Sequence, residues 1–295
     1  MKSNQKFIHL RNYTQYSLSK GAIKVKDLVN KCLKSKIPAI GISDFGNLFG
    51  SMEFSLECKA NGIQPIIGCN IYLVDNNFEN GYLLLIAKNE LGFKNLSRLV
   101  TISYLENSKE NYPYISFNDL LNHSSGLICL AGGEFGFISK NYSRERISKV
   151  NEAIKRLNEI FSNDFFLEIQ KDLSKNKGLH SFLITQSISK NIPLVATNEN
   201  FFLDKSFYES HDALLSISEQ KYLDSEDRLK SDRNFCFKED HEIVSDFKNL
   251  PDALDNTVMI AKKCSFFLEE KNPKLPKINV ENNDENSFLK KKSFE

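Results

Sequence analysis

Seven short runs in this 295-residue chain are apolar at almost every position. They read "FIHL" (7–10), "PAIGISD" (38–44), "PIIGCNIYLV" (65–74), "YLLLIAKN" (82–89), "GLICLAGG" (126–133), "DFFLEIQK" (164–171) and "PLVATN" (193–198). A strand exposed on one face would alternate apolar with polar residues. Runs without alternation are strands covered on both faces, the mark of a parallel sheet flanked by crossover helices. Amphipathic stretches lie between them, including "AIKVKDLVNKCLKSK", "LFGSMEFSLECKANG" and "LGFKNLSRLVTISYLE". Ile147, Val150, Ile154, Leu157 and Phe161 form one helical stripe. About seven such units predict a closed or nearly closed β/α barrel, in which function sits at the C-terminal strand ends. Those ends are Arg11 to Tyr13, Asp44 and Phe45, Asn70, Gly132 and Gly133, and Asn198 to Phe201.

Composition narrows the function classes. A hydrophobic fraction of 41% supports a large core, and a net charge of +1 gives no global attraction to nucleic acid or membrane. No run approaches the roughly 20 apolar residues of a membrane helix. The start "MKSNQKFIHL" lacks the apolar region of a signal peptide, so a cytoplasmic location is expected. Cys32, Cys58, Cys69, Cys129, Cys236 and Cys264 include no C-x-x-C pair and are expected as buried thiols. After about residue 205 the pattern turns helical, in "DALLSISEQ" and in "LPDALDNTVMIAKKC", with Pro251 in a first turn and lysines in a last. From Lys271 the text is polar and ends on "SFLKKKSFE". The division expected is a main domain over 1–270, then over 271–295 a linker and the truncated start of a further region.

The strand-end residues resemble a known pattern. "FIHLRNYTQYSLSKG", "PAIGISDFGNLFG", "GIQPIIGCNIYL", "LLLIAKNELGFKNLSRLV", "PLVATNENFFLD", "HDALLSI" and "LPDALDNTVMIAKKC" follow in order the signatures of the PHP (polymerase and histidinol phosphatase) domain, in the version carried at the N-terminus of bacterial DNA polymerase III α subunits. The resemblance implies a distorted, TIM-like (β/α)7 barrel with a helical C-terminal extension. It also implies a parent protein that is a DNA-directed DNA polymerase, with the palm and thumb of the same polypeptide, a proofreading exonuclease subunit, DNA and other replisome subunits as partners. The Mg2+-binding P-D-x-D-x-D signature of a palm is not in this sequence, so no cofactor is expected here, and Mg2+ belongs to the polymerase domain.

An active site of this family resembles a cluster of two or three metal ions that activate water for attack on phosphorus, held by His, Asp, Glu and sometimes Cys. Carried over residue by residue, those positions read Arg11 and Tyr13 for paired histidines, Lys20 for an aspartate, Phe45 for a histidine and Asn70 for a glutamate. Tyr82 replaces a histidine, Gly133 a cysteine, and Glu199 and Phe201 the last pair. Glu199 alone keeps a donor. A unit cation about 4 Å from another costs about 4 kcal/mol at an effective dielectric near 20, so Arg11 and Lys20 disfavour a dication. The sequence therefore predicts no catalytic residue, no bound metal, and ion pairs of Arg11 and Lys20 with Asp44 and Glu199. Its role would be a scaffold that docks the exonuclease. The rivals are a metal-dependent phosphoesterase, pyrophosphatase or 3′–5′ proofreading nuclease, and a stand-alone binding protein. His9 is expected as a hydrogen-bonded strand residue and His211 on a helix packing surface. Asp44 is a candidate helix N-cap, and Asn47 and Gly50 suit turn and close-packing roles.

Overall fold

A computed structural model describes residues 7–107, 112–143, 146–171, 178–273 and 284–295. Six strands, β1 (Ala39–Phe45), β2 (Gln64–Leu73), β3 (Gly81–Ala87), β4 (Leu127–Gly132), β5 (Phe165–Ile169) and β6 (Leu194–Ala196), form one sheet in chain order. The β1–β2, β4–β5 and β5–β6 pairs are parallel. Against the all-parallel expectation, β3 is antiparallel to both β2 and β4. The short connection after β2, residues 74–80, makes a hairpin-like return where a helical crossover would be needed for a parallel strand.

Residues 7–13 supply the seventh stave. On one side Gly41 N–H donates to the His9 carbonyl (2.8 Å) and Ser43 N–H to that of Asn12 (3.0 Å). On the other, Tyr13 N–H donates to the Asn200 carbonyl (2.9 Å), and Asn12 bridges Asn200 in parallel. The sheet thus curls until both edges meet on this segment, which leaves no long open edge among the described residues.

The helices are α1 (Val25–Ser35), α2 (Ser51–Ala60), α3 (Glu90–Leu105), α4 (Phe117–His123), α5 (Phe137–Asn141), α6 (Ile147–Phe161), α7 (Leu179–Lys190), α8 (Tyr208–Ser218), α9 (Asp240–Asp246), α10 (Pro251–Lys263) and α11 (Glu285–Phe294). In α6 the predicted stripe is buried from Val150 to Phe161, while Ile147 opens the first turn exposed. Outward strand residues such as Cys69, Ile71, Leu85, Phe165 and Leu167 pack with the helical stripes in one core. Inward residues, Ile66, Leu84, Ile86, Ile128, Leu130, Phe166 and Val195, fill the barrel with Ile8 and Leu10.

Helix α10 is more than a trailing extension. Ile260, Ala261 and Cys264 pack into the inner core. The Gln64 side chain, at the start of β2, donates to the Cys264 carbonyl (2.9 Å), and Thr257 Oγ1 accepts from Ile8 N–H (2.9 Å). Both anchors sit where parallel strands begin, so α10 seals the end opposite the site. It carries the predicted Pro251 in its first turn and Lys262 and Lys263 in its last. Much of the predicted linker, residues 274–283, lies outside the described residues.

Candidate functional site

The period of two along each strand builds the site. On β5 the inward series is Phe166, Glu168, then Gln170; on β6 and its continuation it is Val195, Thr197, Glu199; on β2 it is Ile66, Gly68, Asn70. Each series is apolar at one end of the barrel and polar at the other. Tyr82 reaches the same end although it opens its run, because β3 runs the opposite way.

Arg11 occupies the centre. It is 3% exposed and grips Glu168, a fully buried carboxylate, with both Nε and Nη2 (the latter at 2.7 Å). Its Nη1 donates to Tyr13 Oη (2.8 Å) and Asn70 Oδ1 (3.0 Å) and lies 3.8 Å from Glu199 Oε1. This two-bond fork fixes the guanidinium far better than a lysine would. Thr197 Oγ1 also donates to Glu168. Tyr13 Oη donates to Glu199 Oε2 and accepts from Asn70 Nδ2 (2.9 Å), while Gln170 Nε2 donates to Glu199 Oε1 (3.0 Å). All four carboxylate oxygens therefore already accept from protein donors.

The electrostatics follow from that geometry. Burial opposes the charge on Arg11, but Glu168 and then Glu199 more than offset it and hold its pKa well above the usual guanidinium value. Burial pushes Glu199 up, and the Glu168 charge adds to the rise while Arg11 opposes it. Burial also raises Tyr13, against the pull of Arg11, so the phenol keeps the proton it donates.

Of the four expected ion-pair members, the structure joins Arg11 with Glu199 and leaves the other two elsewhere. Glu168 is the principal partner, and the sequence reading passed over it. Its signal is visible in retrospect: a lone carboxylate within an otherwise apolar strand, "FFLEI", at an inward position. Lys20 forms no ion pair among the described residues. Its ammonium lies 4.5 Å from the Phe45 ring centroid and 5.7 Å from that of Tyr82, a cation–π arrangement. Asp44 is not a helix cap either: α2 starts six residues past Phe45, after Gly50. Asp44 accepts instead from Thr14 N–H (2.7 Å), Thr14 Oγ1 (2.7 Å) and Ser17 Oγ (2.6 Å), pinning the loop that follows the first stave. Burial raises its pKa against these bonds.

The remaining positions pack around this centre. Phe45 and Phe201 stack on either side of Tyr13, at 4.7 and 4.3 Å between centroids. Gly133 has φ +68°, and a Cβ there would stand 3.1 Å from Glu168 Oε2 and 3.2 Å from Glu199 Oε1. Asn47 Nδ2 donates to the carbonyls of Tyr16 (2.9 Å) and Phe45 (3.0 Å), and a Cβ on Gly50 would strike the Tyr16 ring at 2.6 Å, as the turn and close-packing readings expect.

His9 is buried, donates from Nε2 to the Lys238 carbonyl (3.0 Å) and accepts at Nδ1 from Asn200 Nδ2 (3.0 Å). Burial lowers its pKa to about 3. His211 is buried against Phe201 and Phe202, with Nε2 on the Lys20 carbonyl (2.8 Å) and Nδ1 on Ser231 Oγ (2.6 Å). All six cysteines are free and buried. Among the described residues no cluster of three or more His, Cys, Asp or Glu side chains has metal-site geometry, and no helix is long and apolar enough to cross a membrane.

The family model for the PHP domain matches residues 9–172, more than half of the chain. The chain belongs to the PHP domain family. It is 35% identical to a DNA polymerase III subunit alpha from Caulobacter vibrioides over 92% of its length, covering 24% of that protein. It is 36% identical to the DNA polymerase III subunit alpha of Borreliella burgdorferi, over 90% of this chain and 24% of that one. The chain thus spans about a quarter of the length of these relatives. Among solved structures, an amidohydrolase from Chromobacterium violaceum is similar at a TM-score of 0.42 and 11% identity, over 64% of this chain and 86% of that one.

Proposed function

We propose that this PHP domain performs no metal chemistry and serves as a structural scaffold within a DNA polymerase III α subunit. The observation that carries the reading is the Arg11 fork on Glu168 at the centre of the barrel mouth. A dication placed between Glu168 and Glu199 would sit within reach of a buried guanidinium. Its repulsion, about 4 kcal/mol per unit of cation charge at 4 Å and an effective dielectric near 20, offsets about half of the attraction of two carboxylates at that distance, and the ion would also have to break the hydrogen bonds that all four of their oxygens already accept. The donor set does not fit the family's metals, and Arg11 replaces their cross-links with an internal cation. Gly133 supports this: its Cβ-free space is filled by the two carboxylates.

The resemblance to polymerase α subunits extends the proposal. The DNA-directed DNA polymerase activity, with its Mg2+, lies in other parts of the parent polypeptide. This domain, taken as residues 1–270 with 271–295 leading out of it, packs against palm and thumb and offers a docking face to a proofreading exonuclease, in the cytoplasm. Equilibrium dialysis against Mn2+ and Zn2+ followed by elemental analysis tests the core of the reading, together with an assay on a model phosphodiester. Neither stoichiometric metal nor turnover is expected. Either one would establish the rival, a metal-dependent phosphoesterase or nuclease.

A further inference from the structure

Beside the Arg11 cluster a groove of about 440 Å3 opens along the barrel mouth. Its described lining carries two ammonium groups, Lys20 and Lys140, and no carboxylate. Neither lysine forms an ion pair among the described residues. They are close enough that, after burial, the charge of Lys140 is the next cause lowering the Lys20 pKa. The Phe45 and Tyr82 rings hold the Lys20 ammonium, with centroids at 4.5 and 5.7 Å, but supply no counter-charge. Two like charges facing one groove that offers no carboxylate of its own favour an anion from solution.

Two phenols add neutral donors. Tyr82 and Tyr104 line the same groove. Burial raises the Tyr82 pKa to about 12, with the nearby Tyr72 and Tyr104 adding to the rise, and burial raises Tyr104 as well, so both hydroxyls keep their protons. Neither hydroxyl has a hydrogen-bond partner among the described residues. The Tyr104 hydroxyl stands 3.5 Å from where a Cβ on Gly46 would lie, and Gly46 is itself part of the groove wall, so this donor is at the groove. Ammonium and phenol groups all offer protons to oxygen. A phosphoryl or sulfuryl dianion matches the two lysines in charge, and its oxygens point in several directions at once. A carboxylate brings one charge and two oxygens in a plane. The groove exceeds the volume of one such ion, so free phosphate and the phosphoryl end of a larger molecule share this chemistry.

We propose that this groove binds a tetrahedral oxyanion, a phosphoryl or sulfuryl dianion, between Lys20 and Lys140, with the Tyr82 and Tyr104 hydroxyls donating to it. Calorimetric titration with inorganic phosphate, sulfate, glycerol phosphate and acetate at constant ionic strength tests it. Phosphate and sulfate are expected to saturate below about 10 mM and to bind at least about tenfold tighter than acetate. Tighter binding of glycerol phosphate than of phosphate assigns the groove to an esterified phosphoryl group, and equal or weaker binding assigns it to the free ion. Lys20→Met and Lys140→Met should each weaken phosphate about tenfold, the loss of one charge-assisted bond, and Tyr104→Phe severalfold. Lys140 is exposed and Tyr104 is 46% exposed, so without phosphate the melting curves of Lys140→Met and Tyr104→Phe should match the parent, which separates lost binding from lost folding. The proposal is overturned by no saturable phosphate binding up to about 10 mM, by acetate binding as tightly, or by an affinity unchanged in both lysine variants. Any of these leaves the scaffold reading untouched. Release of phosphate from the ester would instead remove the scaffold reading and leave this one standing.

Discussion

Replacing Arg11 with methionine removes a buried cation and leaves Glu168 and Glu199 facing each other without it. Breaking a buried pair from one side costs about 3–5 kcal/mol, because the remaining charge stays desolvated. Here Glu168 is fully buried and Glu199 is 5% exposed, so solvent offers little relief. That loss is a large part of the roughly 5–15 kcal/mol that holds an ordinary domain together. At about 2–4 °C per kcal/mol for a domain of this size, Tm should fall by roughly 6–20 °C. The double variant Arg11→Met with Glu168→Leu removes both charges and should recover to within about 2 kcal/mol of the parent. Urea unfolding of the parent, both single variants and the double gives the coupling directly. Additive losses in that cycle, or a cost below about 1 kcal/mol for Arg11→Met, would refute the reasoning, since contacting charges must couple.

Three further outcomes follow from the same geometry. His9 carries a pKa of about 3 when folded against an ordinary 6.5, so the unfolded chain binds its proton first. Its stabilising contribution is complete above pH 6.5 and declines as pH falls toward 3. About 2 kcal/mol should go between pH 6.5 and 5, and this slope should vanish from urea midpoints of His9→Asn. The raised carboxyls, Glu199 and Asp44, act with the opposite sign, losing stability as pH rises through their folded values, so the His9 term is read as the difference between parent and variant. Gly133→Ala combines left-handed strain, about 1–2 kcal/mol, with a Cβ pressed on two carboxylates, and should lower stability by at least that amount in thermal melts. Asp44→Asn leaves Thr14 and Ser17 donors without a full acceptor set and should speed amide exchange over residues 14–21 while costing about 1–3 kcal/mol.

The sequence carried the barrel because burial on both faces is written as unbroken apolar runs, and that signal depends on composition alone. It did not carry the direction of β3. "YLLLIAKN" is equally apolar whichever way it runs, and only the short segment before it dictates the return. Arg11, Tyr13, Glu199 and Phe201 were placed together by their strand-end positions. Glu168 is not legible from strand termini, because it stands inside "FFLEI" and faces inward by the period of two. Lys20 was misassigned for a different reason. A cation reads as an ion-pair partner in one dimension, but the loop held by Asp44 carries it over Phe45 and Tyr82, where ring faces stabilise the charge. Asp44 reads as a candidate N-cap because a Gly-containing turn and a helix follow it, whereas its contacts come from Thr14 and Ser17, far away in sequence.

The central claim is that an internal guanidinium holds the place of metal ions. Crystals soaked in Mn2+ or Zn2+ and measured at the absorption edge of each metal examine it most directly. The account predicts no anomalous peak at the barrel mouth and Arg11 still forked on Glu168. A peak bound by Glu168 and Glu199, with Arg11 swung away, would contradict it.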